Sequence, residues 1–375
     1  MRKRIALITN IIAPYRITLF NLISDNPEID LKVIFLAKSE INRKWDINLN
    51  DIRFNYIILN NFCIFIRSKE MPIYFNPGFW KILNDLKPDA ICMCGYHYLA
   101  TIGALLYAKI KNIPITLWAE SHMLSGFIKN PLTEFYKKII IPGFSSYITS
   151  GIAAKEQIVY YGAKPKRIVV GCNAIDVEWF TRKCKNIQEN EMVEMKSRYP
   201  SQNILYVGKF ISFKGVFNLI MAFERLNLAD VGLILIGEGE EKDKYLEYIR
   251  KHNIKNIFFE GFVQQEDIVK YYKLADVFVL PSFNEVWGFV VNEAMACGLP
   301  VISSSYAGAT RDLVKDNING YSFNPHDIDE LAAKLRYILT DNKLKENMGK
   351  RSVEIIKDKS TQNYANKILK AIGGL

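Results

Sequence analysis

Residues 283–300 read FNEVWGFVVNEAMACGLP and follow a short apolar run, ADVFVLP at 275–281, which predicts a buried strand. Gly288 precedes apolar, helix-forming residues, so we expect a helix to begin near this glycine. Glu285 would then lie on the loop before the helix, and Glu293 would lie in its second turn. In an open α/β sheet both positions face the crevice at the carboxyl ends of the strands, where ligands bind.

The chemistry of this stretch predicts a ligand that carries hydroxyl groups next to phosphates. The helix start at Gly288, Phe289 and Val290 offers backbone N–H groups, which favour phosphate, whereas carboxylates repel it. A nucleotide-sugar satisfies both, with its sugar against Glu285, its ribose against Glu293 and its diphosphate against the N–H groups. The alternative interpretation is that the two glutamates are ordinary acids at a helix entry that complement the helix dipole.

The spacing Glu285-x7-Glu293 and the sequence CGLPVISS at 297–304 resemble the signature of the large retaining glycosyltransferase family called group 1 or family 4. This resemblance implies the α/β GT-B fold, in which two Rossmann-like domains face each other across a deep cleft and a C-terminal helix crosses back to the N-terminal domain. We therefore expect an acceptor-binding domain at 1–180, a linker at 181–200, a donor-binding domain at 201–355 and the returning helix at 356–375.

Composition and length agree with two globular domains. The chain has 375 residues, of which 49% are hydrophobic and 23% are charged. Its six cysteines mostly lie in apolar runs and show no paired metal spacing, so we expect buried free thiols in a reducing cytoplasm. Residues 90–108 carry no formal charge and are long enough for a transmembrane helix. However, they include Gly95, His97 and Thr101, and their pattern divides into a short strand and a helix, so we expect a globular segment.

Positive charge is concentrated in the first half of the chain. The net charge is +10, and residues 1–180 contain 22 Lys/Arg against 14 Asp/Glu, a net +8. Such an excess indicates an anionic partner. No nucleic-acid motif is present, so we do not expect nucleic acid as the partner. We expect instead an anionic inner membrane surface that presents a lipid-linked saccharide acceptor, with the protein cytoplasmic and peripheral on that membrane face.

The first βα loop argues against a dehydrogenase. A strand at 4–9 is followed by NIIAPYR at 10–16, which lacks the G-x-G-x-x-G of a dinucleotide site. The resembled family often has a glycine pair in this loop, which is absent here. Asn10 and Arg16 are candidates to line the cleft on the acceptor side, and the alternative for Arg16 is a solvated residue at a helix start.

Aromatic residues cluster around two prolines in MPIYFNPGFW at 71–80. Tyr74 and Trp80 are candidates to pack on the acceptor's sugar ring or lipid. Core packing, or a mobile apolar loop, is the alternative interpretation.

A further strand, IPITLWA at 113–119, ends in Glu120-Ser121-His122. Polar groups at such a strand end point into the ligand crevice. The resemblance implies a histidine near the donor's reacting carbon at this place. Glu120 occupies that position and His122 follows by two, so both remain candidates for the catalytic role.

The second domain opens with a strand at 203–207. The loop that follows, GKFISFKG at 208–215, begins with Gly208 and Lys209 and ends with Lys214 and Gly215. Ammonium groups flanked by glycines, in the first βα loop of a Rossmann unit, are suited to phosphate. The family often has Arg at the position of Lys209. Lysine keeps the positive charge there but lacks the two parallel N–H donors of a guanidinium group. By the same resemblance the donor-binding residues continue downstream at Gly237, Gly239, Phe262 and Val263.

The sequence HDID at 326–329 contains a D-x-D that would elsewhere suggest a metal-held diphosphate. Here Asp327 is followed by Glu330 and an apolar helical pattern, which is the spacing of a capping box. We therefore expect no metal ligand and no cofactor, and treat a UDP- or GDP-linked sugar as the substrate.

The sequence thus predicts a glycosyltransferase of the hexosyltransferase class, acting in surface polysaccharide, lipopolysaccharide or glycolipid assembly. The resemblance implies retention of the donor's anomeric configuration. Charge on the departing nucleoside diphosphate would be offset by lysines and helix N–H groups rather than a metal. The alternatives are a nucleotide-sugar epimerase or hydrolase of the same fold, and a non-catalytic sugar-nucleotide-binding protein.

Overall fold

A computed structural model describes residues 2–40, 48–66, 71–125 and 130–373. The chain divides into two compact units, which we call unit 1 (residues 1–172 and 361–375) and unit 2 (residues 173–360). The segment 181–200, for which the sequence predicts a linker, lies in unit 2 and is mostly helical.

Over the described residues, unit 1 forms a seven-stranded parallel sheet and a separate two-stranded hairpin. Its strands are β1 Lys3–Thr9, β2 Ile29–Phe35, β3 Asn55–Ile58, β4 Phe62–Ile66, β5 Met71–Phe75, β6 Ala90–Cys94, β7 Ile115–Ala119, β8 Ser146–Thr149 and β9 Ile168–Val170. Their order in the large sheet is β3-β2-β1-β6-β7-β8-β9. The helices are α1 Pro14–Ser24, α2 Phe79–Leu86, α3 Leu99–Lys111, α4 Pro131–Ile140, α5 Ile152–Tyr160 and the C-terminal α15 Thr361–Gly373.

The hairpin corrects the sequence interpretation of the aromatic segment at 71–80. Its first five residues form β5, which pairs with β4 in antiparallel register, Phe62 opposite Phe75. The pattern was hard to recognise because Pro72 interrupts it. Proline is tolerated in an isolated two-stranded ribbon, where each strand has one open edge.

The uncharged stretch at 90–108 is a buried strand followed by a helix, as the sequence predicts. All five residues of β6 are buried between β1 and β7, and α3 begins at Leu99. A strand with helices on both faces of its sheet needs apolar residues throughout, which explains the missing charges. Within the described part of the chain, no helix has both the length and the apolarity needed to cross a bilayer.

Unit 2, all of which the structure describes, is built on a six-stranded parallel sheet. Its strands are β10 Gln202–Val207, β11 Val231–Ile236, β12 Ile257–Gly261, β13 Val277–Leu280, β14 Val301–Ser304 and β15 Gly320–Phe323, in the order β12-β11-β10-β13-β14-β15. The helices are α6 Val177–Asn186, α7 Glu189–Lys196, α8 Val216–Leu226, α9 Lys242–Lys251, α10 Gln265–Leu274, α11 Phe289–Ala296, α12 Gly308–Leu313, α13 Ile328–Thr340 and α14 Asn342–Lys357.

Each sheet reverses its strand order once, and ligands of open α/β sheets bind at such a switch point. In unit 1 the reversal lies between β1 and β6, and in unit 2 it lies between β10 and β13. In unit 2 the loops that flank the switch point carry Lys214 and Glu285. The two sheets confirm the predicted α/β class with two Rossmann-like domains.

The C-terminal helix α15 belongs to unit 1, where it packs against α1, β8 and β9. The Ser146 hydroxyl donates to the carbonyl oxygen of Ala371 at 2.9 Å, and the ring of Tyr364 lies edge-on to Trp118 at 5.5 Å. Gly171 permits this contact, since a Cβ atom there would lie 2.2 Å from the Tyr364 ring. The end of the chain therefore completes the core of the unit that contains its beginning.

Candidate active site

The loop after β13 is held on both sides. Glu285 forms a parallel β-bridge with Ala307, and the Gly308 N–H donates to the Glu285 carbonyl oxygen at 3.1 Å. Trp287 is buried, and its indole N–H donates to Asn292 at 3.0 Å. Such anchoring fixes the backbone that carries the Glu285 carboxylate.

Lys214 and Glu285, which the sequence assigned to one site, form an ion pair. Their side chains are only 18% and 16% exposed. The pairing follows from the backbone, because the N–H groups of Phe283 and Asn284 both donate to the carbonyl oxygen of Phe213, at 2.9 and 3.3 Å. The two loops at the switch point are thereby tied together, with the ammonium and the carboxylate facing each other.

Gly215 is required for this arrangement. It has φ 70° and ψ 15° at the start of α8, a left-handed conformation that glycine adopts readily. A Cβ atom at this position would lie 2.1 Å from the carbonyl oxygen of Pro281. Only glycine therefore lets the lysine loop lie directly against the end of β13.

Gly208 and Lys209 follow β10, while Gly237 and Gly239 follow β11. A Cβ atom at Gly237 would lie 1.9 Å from the Gly208 carbonyl oxygen, and one at Gly239 would lie 2.2 Å from that of Phe210. These glycines, which the resemblance places at the donor, let the loops after β10 and β11 approach each other closely. Lys209 itself is exposed.

Helix α11 begins where the sequence predicts, with Gly288 as its N-cap and Phe289 and Val290 in its first turn. Glu293 accepts a hydrogen bond from the Tyr272 hydroxyl at 2.7 Å. Burial raises the pKa of Glu293 from its ordinary 4.5 to about 7, although the bond from Tyr272 opposes the rise. Sequence reasoning missed Tyr272, which lies on α10 and has no motif of its own.

Phe262 and Val263, the predicted base-contacting residues, directly follow β12. Phe262 is 65% exposed, and Val263 is partly buried. An exposed phenylalanine at the carboxyl end of a parallel strand offers a flat apolar surface at the ligand-binding edge of the sheet. The structure places these residues at that edge of unit 2.

The D-x-D at 327–329 is a helix cap, as predicted. The Asp327 carboxylate accepts from the Glu330 N–H at 2.8 Å and begins α13. The neighbouring His326 ring lies 4.9 Å from the ring of Phe283 and 5.7 Å from that of Tyr306. Among the described residues, no group of three or more His, Cys, Asp or Glu is placed to hold a metal ion.

In unit 1, Arg16 and Glu120 form a short ion pair at 2.7 Å, with side chains 8% and 27% exposed. The Arg16 guanidinium also donates to the Thr9 hydroxyl at 2.7 Å and lies 5.0 Å from the centre of the Trp118 ring. This corrects the interpretation of Arg16 as a solvated residue. The pair joins the first turn of α1, which follows β1, to the loop after β7, and β1 and β7 are the two neighbours of β6 in the sheet.

His122, the second candidate at this strand end, is 5% exposed. Its N–H donates to the Ser125 hydroxyl at 2.8 Å, which closes a turn after β7. Glu120 is thus the more accessible of the two side chains. Sequence reasoning gave no functional role to His97. This residue is exposed just beyond the end of β6, the strand that lies between β1 and β7 in the sheet. Its position two residues after a strand-end glycine was the available signal.

The acceptor-side candidates fall into different environments. Asn10 and Tyr74 both donate to the same Glu40 carboxylate oxygen at 2.8 Å. Tyr74 is 1% exposed, so it is a core residue and cannot offer its ring to an acceptor, which corrects its prediction as a platform. Trp80 is 40% exposed on α2 and packs edge-on against Tyr107.

All six cysteines lie in the described residues and are free. Cys92, Cys94 and Cys172 are buried as expected, whereas Cys63 is exposed on the hairpin. Cys184 on α6 lies against Cys297 at the end of α11, with its sulfur 3.8 Å from the Cys297 carbonyl oxygen.

Comparison with known proteins decides the family. Residues 188–354 match the family model described as glycosyl transferases group 1. This part of the chain is a group 1 glycosyltransferase domain. It contains Lys209, Lys214, Glu285 and Glu293, whereas Arg16, Glu120 and His122 lie outside it. The resemblance inferred from the segment at 283–300 is therefore confirmed at the level of the group 1 family.

Individual relatives extend over more of the chain. The sulfoquinovosyl transferase SQD2 of Arabidopsis thaliana is 23% identical over 309 residues, which are 78% of this chain and 58% of that protein. The chain spans about three fifths of the length of this relative and of two glycogen synthases that it also matches.

Solved structures show that the likeness of fold continues through both units. Alr3699/HepE of Anabaena, crystallised with UDP, has a TM-score of 0.80 at 16% identity over all of both chains. The lipopolysaccharide outer core galactosyltransferase WaaB has a TM-score of 0.73 at 20% identity over 98% of both chains. At these identities the likeness establishes the fold, which is the GT-B fold of two Rossmann-like domains.

Proposed function

We propose that this protein transfers a sugar from a nucleotide-sugar donor to a saccharide or lipid-linked saccharide acceptor. The observation that carries the proposal is the Lys214–Glu285 ion pair at the switch point of the unit 2 sheet, within a group 1 glycosyltransferase domain. An ammonium and a carboxylate held together beside a helix start suit a ligand that carries both phosphates and hydroxyls.

The donor would lie across the end of the unit 2 sheet. Lys214 and the N–H groups of the first turn of α11 would bind the diphosphate, and the exposed Lys209 would reach it from the β10 loop. The sugar hydroxyls would donate to Glu285, and the ribose hydroxyls to Glu293. These fixed charges and dipoles would stabilise the charge that develops on the departing nucleoside diphosphate.

Transfer without a metal, and with retention of the anomeric configuration, belongs to the proposal. Retention is inferred from the resemblance of the Glu285–Glu293 segment to the retaining family. For the base, UDP is the first candidate, because Alr3699/HepE was crystallised with UDP and with UDP-glucose. GDP is the second candidate.

Unit 1 would bind the acceptor. Glu120 and His122 stand where the resemblance implies a catalytic histidine, and Glu120 is held by Arg16. Surface polysaccharide or glycolipid assembly is proposed as the pathway, on an anionic membrane face. Support comes from the names of two similar proteins, a sulfoquinovosyl transferase and a lipopolysaccharide outer core galactosyltransferase, and from the net +8 of residues 1–180.

Calorimetric titration with UDP, GDP and ADP in EDTA tests the donor site. We expect one nucleotide to bind selectively and Lys214→Ala to lose at least about tenfold in affinity, since a charge-assisted contact is worth about 1.5–3 kcal/mol. Lys251→Ala, an exposed lysine on α9, is the matched control. Binding that requires Mg²⁺ would contradict the metal-free diphosphate site.

A transfer assay separates the proposed function from its alternatives. Glu285→Gln should lose transfer while nucleotide binding is kept, because the carboxylate meets the sugar rather than the base. A protein that epimerises or hydrolyses the donor and transfers nothing to any saccharide acceptor would be an epimerase or a hydrolase. Unchanged transfer by both the Lys214 and Glu285 variants would contradict the proposed active site.

A further inference from the structure

Exposed apolar side chains are distributed unevenly between the two units. Of 22 exposed large apolar side chains among the described residues, 17 lie in unit 1 and five in unit 2. The units are nearly equal in length, so size does not explain the difference. Scattered surface apolar residues are ordinary, but an accumulation on one unit marks an interaction surface.

Two neighbouring helices of unit 1 carry continuous rows of such side chains. On α3 the exposed residues recur at intervals of three and four, which places them along one side of the helix. Helix α4 repeats this pattern over two turns. The two rows consist of Leu99, Ile102, Leu106 and Ile110 on α3, and of Leu132, Phe135 and Ile139 on α4.

The two rows form one surface, because a cavity of about 350 Å³ is lined by both helices. Leu106 of α3 and Ile139 of α4 contribute to its lining and are each at least half exposed. We call the seven apolar residues the α3–α4 face. Leu132 at 79% and Phe135 at 66% are among its most exposed members.

Charge on the same helices indicates what covers this face. Lys109, Lys111 and Lys138 are exposed, and α3 contains no acidic residue. Glu134, the acid of α4, is paired with Lys137 at 3.1 Å. Lysine is depleted in protein–protein interfaces, whereas lysines beside an apolar row are typical of helices that lie on anionic bilayers.

We propose that the α3–α4 face docks this protein on a lipid bilayer that carries anionic headgroups. The apolar side chains enter the boundary between headgroups and acyl chains, and the three lysines lie at the lipid phosphates. This deepens the proposed function by naming the surface through which unit 1 meets a lipid-linked acceptor. The biological purpose of the docking rests on the proposed function, but the docking itself does not, because binding to a bilayer needs no sugar transfer.

Sedimentation of the full chain with vesicles tests the proposal. Phosphatidylcholine vesicles containing a quarter phosphatidylglycerol are compared with pure phosphatidylcholine. We expect binding to the anionic vesicles and a loss of about tenfold or more in Leu106→Ser/Phe135→Ser, since each side chain loses its apolar insertion. Lys109→Glu/Lys138→Glu should lose binding at low salt. The matched controls from unit 2, Val193→Ser and Lys251→Glu, should bind as the unmodified protein does.

Three results would overturn the proposal. The protein fails to bind anionic vesicles, the face variants bind as well as the controls, or ultracentrifugation shows a dimer that the face variants abolish. The last result would make the face an interface between two copies of the chain. UDP titration of the same variants keeps this test separate from the donor site, because the face lies outside unit 2. Loss of vesicle binding with intact nucleotide binding supports the docking surface alone.

Discussion

Replacing Glu293 with glutamine tests whether its carboxyl group is held in an unfavourable environment. Its side chain is partly buried and accepts a hydrogen bond from Tyr272 at 2.7 Å. Glutamine has nearly the same shape and can still accept that bond through its amide oxygen. The substitution therefore removes the ionisable group and little else.

The expected effect depends on pH, and its sign follows from the raised pKa. Between the unfolded value of 4.5 and the folded value of about 7, the folded protein binds more protons at Glu293 than the unfolded chain does. Stability must then fall as pH rises through this window, and the loss is complete above the folded pKa. At 1.36 kcal/mol per pKa unit the whole difference is about 3 kcal/mol, of which about 2 to 3 kcal/mol arises between pH 5 and 8.5.

Urea unfolding of the two proteins at pH 5 and pH 8.5, followed by circular dichroism, measures this difference. Glu293→Gln should gain about 2 to 3 kcal/mol over the unmodified protein when the pH is raised. Glu247→Gln, an exposed glutamate on α9, is the control and should show no such gain. An equal pH dependence of the Glu293 variant and the unmodified protein would refute the reasoning. The variant should also bind nucleotide more weakly, so that stability and affinity change in opposite directions.

Two further substitutions test the supporting structure. Gly215→Ala should destabilise the protein by about 2 to 4 kcal/mol in urea unfolding and weaken nucleotide binding, because its Cβ would meet the Pro281 carbonyl at 2.1 Å. Gly261→Ala, at φ 68° with nothing within 4 Å of its Cβ, should cost only about 1 kcal/mol, and equal losses would contradict the steric argument. Glu120→Gln leaves its arginine partner buried without a counter-charge and should cost about 2 to 3 kcal/mol. Asp25→Asn, which breaks an exposed ion pair, should cost under about 1 kcal/mol, and a comparable loss there would show that burial is not the cause.

The sequence predicted most of the parallel strands because each of these contains a short apolar run. The strand at 277–280 and the helix start at Gly288 occur where expected. The hairpin at 62–75 was missed because it pairs locally outside the main sheet and includes a proline. The helices between 177 and 196 were missed because they have few apolar residues, and tertiary packing rather than propensity decides such segments.

Within the site, sequence reasoning succeeded where a charged residue lies on the loop that follows a strand. Lys214 and Glu285 were expected together because parallel strands bring their carboxyl ends to one edge. It left Arg16 open between a cleft residue and a solvated one, because the burial of this side chain depends on Glu120, more than one hundred residues later in the chain. Tyr74 was ambiguous for a similar reason, since the position of an aromatic ring in a core is set by the packing of distant elements.

The Lys214–Glu285 pair would also explain how a carboxylate can lie beside the proposed diphosphate site. Alone, Glu285 would repel phosphate, but its ion pair with Lys214 makes the local charge close to neutral before any ligand arrives. A nucleotide-sugar can supply hydroxyl donors to the carboxylate at the same time as its phosphate engages the ammonium. A nucleotide without a sugar would compete with the Glu285 carboxylate for the same ammonium and would bring no sugar hydroxyls to that carboxylate. In the proposed function, recognition of the sugar and of the diphosphate would therefore be coupled through one ion pair, which would favour the intact donor over the spent nucleotide.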